Sequence, residues 1–359
     1  MTDQVLDQEK MRAFAGRMMH VINGGMLALM TSIGRQTGLF ETMATMAPST
    51  SQTIADEAGL NERYVREWLG SMTTGGIVEY NADDGTYWMP TEHAALLTNN
   101  AGPRNMARFT QYIPMLAEVE AEIIDCFRNG GGVPYSRFPR FQKLMAESSG
   151  LRFDSLLLEK MLPLTGLVAA LEKGIDVLDI GCGQGRAVVM MAQAFSNSRF
   201  TGYDFSEQGI AVAQTQVEEM GLTNVQFVVK DLAKMDEVAQ YDLITAFDVI
   251  HDQAHPTAVL DAVFRALRPG AVFFMMDIKA SSHLHENHNH PLGPFLYTIS
   301  TMHCMTVSLA LDGAGLGTVW GKQKALELLT AAGFSDVKVN ELEEDSLNYY
   351  YVSRKEPVW

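Results

Sequence analysis

Val177-Leu178-Asp179-Ile180-Gly181-Cys182-Gly183-Gln184-Gly185 decides the fold of this chain. Branched and apolar residues with one acid among them run into three glycines at alternate positions. A helical stretch from Arg186 to Phe195 follows at once. That order predicts a buried strand, a tight turn and a helix. Glycine serves where the backbone bends sharply and where a ligand must lie against it with no Cβ between. The helix N-terminus behind the turn offers unpaired N–H groups to that ligand. A dinucleotide site wants G-x-G-x-x-G. The pattern here is D-x-G-x-G-x-G and departs from it.

Downstream, strands and helices alternate, the pattern of a doubly wound parallel sheet. Arg199 to Asp204 reads as the second strand, and Ser206 caps a helix reaching Met220. Val225–Val229, Tyr241–Phe247 and Ala271–Ile278 follow as the third, fourth and fifth strands. Val337–Leu342 and Leu347–Ser353 read as a terminal pair. Ligands in such sheets sit at the carboxyl ends of the strands. Asp179, Asp204, Asp231 and Asp248 fall at four successive strand ends. Buried unpaired carboxylates are expensive, so the four are read as ligand contacts, with Asp204 placed to accept ribose hydroxyls.

The glycine loop and the seven strands between Gly174 and Lys355 resemble the class I S-adenosylmethionine-dependent methyltransferases. The resemblance implies an α/β fold with a seven-stranded Rossmann-like sheet and S-adenosyl-L-methionine as cofactor. It implies that Gly181, Cys182, Gly183 and Gly185 form the cofactor loop and that Asp179 orients the methionine amino group. Asp231 would meet the adenine amino group, with Phe205 and Leu232 flanking the ring. Phe247 and Asp248 complete the expected cofactor contacts.

The N-terminal third is of another kind. Met11, Phe14, Met18, Ile22, Met26, Leu29 and Ile33 form a helical stripe. Gly24-Gly25 weakens that helix by roughly 1 kcal/mol per glycine, a cost usually tolerated for close packing. A long apolar helix of this kind reads as the seam of a homodimer. Thr53 to Leu60, a helix from Asn61 through Met72, and a hairpin turning at Asp83-Asp84-Gly85 make a winged helix-turn-helix. Between Ser51 and Asn100 stand eight acids against Arg63 and Arg66, a balance that cannot neutralise phosphates. DNA binding is therefore not expected. The layout instead resembles the dimerisation domain preceding the catalytic domain in many small-molecule O-methyltransferases. The expected domains are a winged helix over 1–100, an aromatic-rich helical linker or cap over 101–171, and a catalytic domain over 172–359. A substrate insertion occupies 280–322.

Methyl transfer from a sulfonium is an in-line displacement, for which the enzyme supplies mainly alignment. A base is needed only for an acceptor that arrives protonated. His251-Asp252, just past the fourth strand, offers one, with the carboxylate holding the tautomer. The pair resembles the catalytic His-Asp of the family, although Gln253 stands where tryptophan usually follows. His283, His285, His288 and His290, with His303-Cys304 beyond, invite a metal reading. No H-x₃-H or C-x₂-C element accompanies them, and no metal is expected. Their place after the fifth strand points to the acceptor pocket, with His288, Tyr297, His303 and Cys304 as candidate substrate contacts. A phenol would need a base, whereas a small thiol is already partly ionised.

The 359 residues allow two domains, and 47% apolar residues permit real cores. A formal charge of −16 argues against nucleic-acid and anionic-membrane partners. Three distant cysteines, Cys126, Cys182 and Cys304, suit a reducing compartment. MTDQVLDQEK has neither the basic start nor the apolar core of a signal peptide. The expectation is a cytoplasmic, homodimeric methyltransferase acting on a small thiol or hydroxyl. The alternative is a non-catalytic S-adenosylmethionine-binding regulator that uses its winged helix for partner contacts.

Overall fold

The computed structural model describes residues 6–356, so the start of the MTDQVLDQEK segment lies outside the described residues. The chain divides into two compact units, one ending at Glu118 and the other beginning at Val119. The helical segment expected over 101–171 is thus shared between the two.

In the first unit, Asp7 caps a single long helix, α1 (Gln8–Gln36), by accepting the backbone N–H groups of Glu9 and Lys10. Next come α2 (Leu39–Thr45), α3 (Ser51–Ala58) and α4 (Glu62–Thr74), then the short strands β1 (Glu79–Asn81) and β2 (Thr86–Trp88). Asn61 caps α4 as its sequence predicts, accepting from Arg63 N at 3.1 Å. β1 and β2 pair antiparallel across the Asp83-Asp84-Gly85 turn. The core gathers Phe40, Ile54, Leu69 and Met72 around Trp68, whose Nε1 donates to the Met30 carbonyl at 2.8 Å. The two cations of α4 are spent on their own helix, Arg63 on Glu67 at 2.5 Å and Arg66 on Glu62 at 2.8 Å.

Only the C-terminal third of α1 takes part in that core. Every residue from Leu6 to Gly24 is exposed. The Gly24-Gly25 pair does not buy close packing within this chain, because a Cβ at either would meet nothing within 4 Å.

The second unit is built on β3 (Asp176–Ile180), β4 (Arg199–Asp204), β5 (Val225–Val229), β6 (Tyr241–Phe247), β7 (Leu267–Ile278), β8 (Asp336–Leu342) and β9 (Asp345–Arg354). Their order is β5-β4-β3-β6-β7-β9-β8, all parallel except β9, which runs antiparallel between β7 and β8. The strand order reverses beside β3, the place where such sheets bind ligands. α5 (Arg186–Ala194) follows the glycine loop, and α6 (Glu207–Met220) follows β4 behind its Ser206 cap. One core packs Leu178, Ile180, Ile244 and Phe273 on one face of the sheet. The other packs Val177, Leu243, Phe274 and Tyr350 on the opposite face. α7 (Pro139–Leu156) adds Phe153 and Leu156 to the second core. No helix among the described residues is long and apolar enough to cross a membrane.

Candidate active site

The sharp bend after β3 is made by glycines that cannot be replaced. Gly181 takes φ 67°, and a Cβ there would lie 2.5 Å from the Val249 side chain. Gly185 takes φ 77°, and its Cβ would strike the Phe227 ring at 2.5 Å. Gly185 is also the N-cap of α5 and contributes no side-chain cap, so the first N–H groups of the helix stay available.

In front of this bend lies a cavity of about 840 Å³. Asp179, Gly181, Cys182, Gly183, Asp204, Phe247, Asp248 and Asp252 line it, with Phe141, Phe153 and Asp154 contributed by α7. Its acids (Glu147, Asp154, Asp179, Asp204, Asp248 and Asp252) outnumber its cations, Lys143 and Arg186. Arg186 is itself paired with Asp154.

Each carboxylate is held differently. Asp204 accepts Gly183 N on one oxygen and Ser206 N on the other, both at 2.8 Å. The Phe205 backbone N–H also bonds this carboxylate, and with two lone pairs on each oxygen it keeps acceptor capacity for a ligand hydroxyl. Burial raises its pKa. Asp179 is nearly inaccessible and accepts Thr245 Oγ1 at 2.5 Å. Burial pushes its pKa up to about 7, the Thr245 bond working against that and the Asp204 charge adding to it. Asp248 sits in left-handed backbone at φ 57°, rare for a residue with a side chain. The buried Arg152 guanidinium holds its carboxylate at 3.0 Å and reaches Asp345 at 3.4 Å. Burial still raises Asp248 to about 6, against the pull of Arg152.

Other expected cofactor residues stand outside this wall. Asp231 is half exposed, pairs with Lys234 at 2.9 Å and caps the turn that follows by accepting Ala233 N. Leu232 belongs to the sheet's core, and Phe205 is exposed, edge-on to Tyr135 with centroids 5.1 Å apart.

On the acceptor side, His251 is buried. Its Nδ1 bonds Asp277 Oδ1 at 2.8 Å, and its Nε2 lies 3.3 Å from Asp252 Oδ1. Asp277, at the end of β7, was not among the expected residues, nor was Trp320, whose Nε1 donates to the same oxygen at 3.0 Å. The rule that selected four acids at strand ends would have found this fifth. Burial alone would lower the His251 pKa, but Asp277 and Asp252 outweigh it and hold it well above the ordinary value. Cys304 is buried nearby, its thiol pushed up to about 12 by burial. His303 lies in a π-helical turn, Ser300–Cys304, fully buried and stacked on Phe141 with centroids 3.5 Å apart. Burial lowers its pKa to about 4. His288 is exposed, while Tyr297 accepts Asn287 Nδ2 at 3.1 Å, so neither joins this group.

Residues 25–99 match the Rv2258c-like winged HTH domain, and residues 171–333 match the methyltransferase domain. The chain thus carries an Rv2258c-like winged HTH domain followed by a methyltransferase domain. Among curated proteins, it is 28% identical over 107 residues to a ubiquinone biosynthesis O-methyltransferase of Leptothrix cholodnii, covering 29% of this chain and 45% of the relative. It is 31% identical over 121 residues to the (S)-tetrahydroprotoberberine N-methyltransferase of Eschscholzia californica, covering 34% of each. The chain thus spans less than half the length of these relatives. Among solved structures, the mitomycin 7-O-methyltransferase MmcR shares the fold over 96% of this chain and 99% of its own, with a TM-score of 0.70 at 18% identity.

The cavity fits S-adenosylmethionine. A Cβ built on Gly183 would meet nothing, so the loop leaves open space. An acid-rich wall suits a ligand that carries a sulfonium and an ammonium, and it opposes a pyrophosphate.

Proposed function

We propose that the protein moves the methyl group of S-adenosylmethionine to the hydroxyl or thiol of a small molecule. The observation that supports this most directly is the joining, in one cavity, of the uncapped α5 N-terminus with Asp179 and Asp204 at adjacent strand tips. When bound, the cofactor supplies an electrophilic methyl whose transfer returns an electron pair to sulfur. Asp204 accepts a ribose hydroxyl with its remaining acceptor capacity while its bonds to Gly183 and Ser206 fix the loop. Asp179 faces the amino group, whose positive charge draws its proton off. Asp248, clamped by Arg152, closes the wall near the methionine end, and Phe141 and Phe153 keep water out.

His251 and Asp252 form the polar pair on the acceptor side. With Asp277 holding Nδ1 and Asp252 beside Nε2, His251 is fixed in place and serves as a positioning residue rather than as a free base.

The exposed half of α1 supports a homodimer. Phe14 is 62% and Met26 is 61% exposed, with Met18 and Ile22 between them on the same stripe. Three free cysteines suit a cytosolic setting. The acidic winged helix, its arginines already paired, supports neither nucleic acid nor anionic membrane as a partner.

Calorimetry with S-adenosylhomocysteine, followed by a screen of phenols and thiols for its release from S-adenosylmethionine, tests the reading. Uptake with turnover supports it. Uptake without turnover on any acceptor, together with capture of a partner through residues 25–99, would replace it with a non-catalytic regulator. Absence of uptake by folded protein overturns both.

A further inference from the structure

His251, Asp252 and Cys304 bring three different donor atoms together. An imidazole nitrogen, a carboxylate oxygen and a thiol sulfur all lie within 4.8 Å of one another. They come from two places in the chain, the turn after β6 and the π-helical turn of the insertion. Ligands about 2.0–2.3 Å from a tetrahedral zinc ion stand about 3.3–3.8 Å apart. His251 Nε2 and Asp252 Oδ1, at 3.3 Å, already do.

The wiring behind the cluster is that of a ligand set. His251 Nδ1 is committed to Asp277, and a carboxylate accepts, so a proton stays on Nδ1 and Nε2, which faces Asp252, is the nitrogen left for a cation. Asp277 Oδ1 is fixed in turn by Trp320 Nε1 at 3.0 Å and by Ile278 N at 2.8 Å. A carboxylate that orients a metal-binding imidazole in this way is the usual outer support of such sites.

His251 and Cys304 hydrogen-bond each other within the cluster, and two further observations show that the rest of it is not satisfied. Asp252 Oδ1 is buried and accepts no hydrogen bond, although Nε2 is only 3.3 Å away. His303, next in the chain to Cys304, is fully buried with neither ring nitrogen hydrogen-bonded. Unmet buried polar atoms cost about 1–3 kcal/mol each, so atoms gathered at one place call for a partner.

We propose that His251, Asp252 and Cys304 bind one zinc-class divalent cation beside the cofactor cavity. The mixture of nitrogen, sulfur and oxygen donors favours zinc or cobalt over magnesium or calcium, which prefer oxygen alone. Three protein ligands leave a fourth position, the arrangement of catalytic rather than structural zinc. Asp252 also lines the cavity, so the ion borders the acceptor. This deepens the methyltransferase reading and rests on it only for the acceptor: the ion would take the acceptor's hydroxyl or thiol, release its proton to solvent and present the anion to the methyl group.

The test uses the full chain, stripped with chelator and titrated with Co²⁺. One equivalent should give tetrahedral d–d bands with a thiolate-to-cobalt charge-transfer band, and Zn²⁺ should displace it. Cys304→Ser should lose the charge-transfer band while a melting curve shows it folded. Exchanging His283, His285 and His288 for alanine should change nothing, which separates the cluster from the exposed histidine run. Absence of a thiolate band in the parent protein, its survival in Cys304→Ser, or loss of cobalt with the histidine run instead, overturns the site. Calorimetry with S-adenosylhomocysteine runs alongside. Nucleoside uptake without a cobalt band removes the ion and leaves the methyltransferase reading standing, whereas a cobalt band without nucleoside uptake does the reverse.

Discussion

Asp277, at the tip of β7, holds Nδ1 of His251 at 2.8 Å from across the neighbouring strand end. The bond fixes the ring and supports its charge. Asp277→Asn should therefore lower the pH at which His251 loses its proton, followed by the ring resonances in a magnetic-resonance titration. It should also destabilise the protein by about 3–5 kcal/mol, the usual result of removing one partner from a buried pair. An unchanged titration would separate His251 from Asp277.

Asp204 makes its contribution through oxygens that already hold the loop. Asp204→Asn keeps the shape but loses one acceptor and the charge. We expect S-adenosylhomocysteine affinity to fall roughly 10- to 100-fold, in line with about 1.5–3 kcal/mol for a charged hydrogen bond. Calorimetry reads this directly.

On the proposed reading, Asp179 ties cofactor binding to pH. Its pKa of about 7 is above the value near 3.8 expected for the unfolded chain. Its contribution to stability is therefore fully present below about pH 4 and is lost as pH rises through 7, by up to about 4 kcal/mol. Asp179→Asn should flatten that part of the stability profile of the ligand-free protein. In the parent protein, nucleoside binding should weaken as pH falls below 7 and Asp179 takes up its proton.

His303 acts with the opposite sign. Burial lowers its pKa to about 4 from the ordinary histidine value of 6.5. The stability it contributes is present above about pH 6.5 and is lost as pH falls through 4, by up to about 3 kcal/mol. His303→Leu should remove this acid sensitivity and, because it replaces unmet nitrogens with apolar atoms, should melt no lower than the parent protein near neutrality. Thermal unfolding at pH 5 and pH 8 checks both.

The elements of the second unit were legible because each signal is local. β4, β5 and β6 begin and end where apolar runs meet turn residues, and Ser206 caps its helix as its side chain dictates. The lining of the cavity was legible only where the backbone itself makes it, at the glycine bend and at Asp179, Asp204 and Asp248. Asp231 shows the limit: an acid at a strand end can also turn outward to cap the next turn, and residue type does not say which. Arg152 and Trp320 carried no signal, since their roles depend on partners 96 and 43 residues away. Asp252 was expected to orient His251. Asp277 does so at Nδ1, because β7 runs beside β6 and brings its tip level with the turn.

The solvent-facing first half of α1 has a thermodynamic consequence. A stretch of helix with no tertiary support is only marginally formed in water. Between Leu6 and Gly24 this chain gives α1 no such support, and the two glycines at its end weaken it further. Ordering of this segment and capture by whatever surface covers it are then one equilibrium. The melting temperature of the whole molecule should climb with protein concentration, and amide exchange along these nineteen or so residues should slow in step with it.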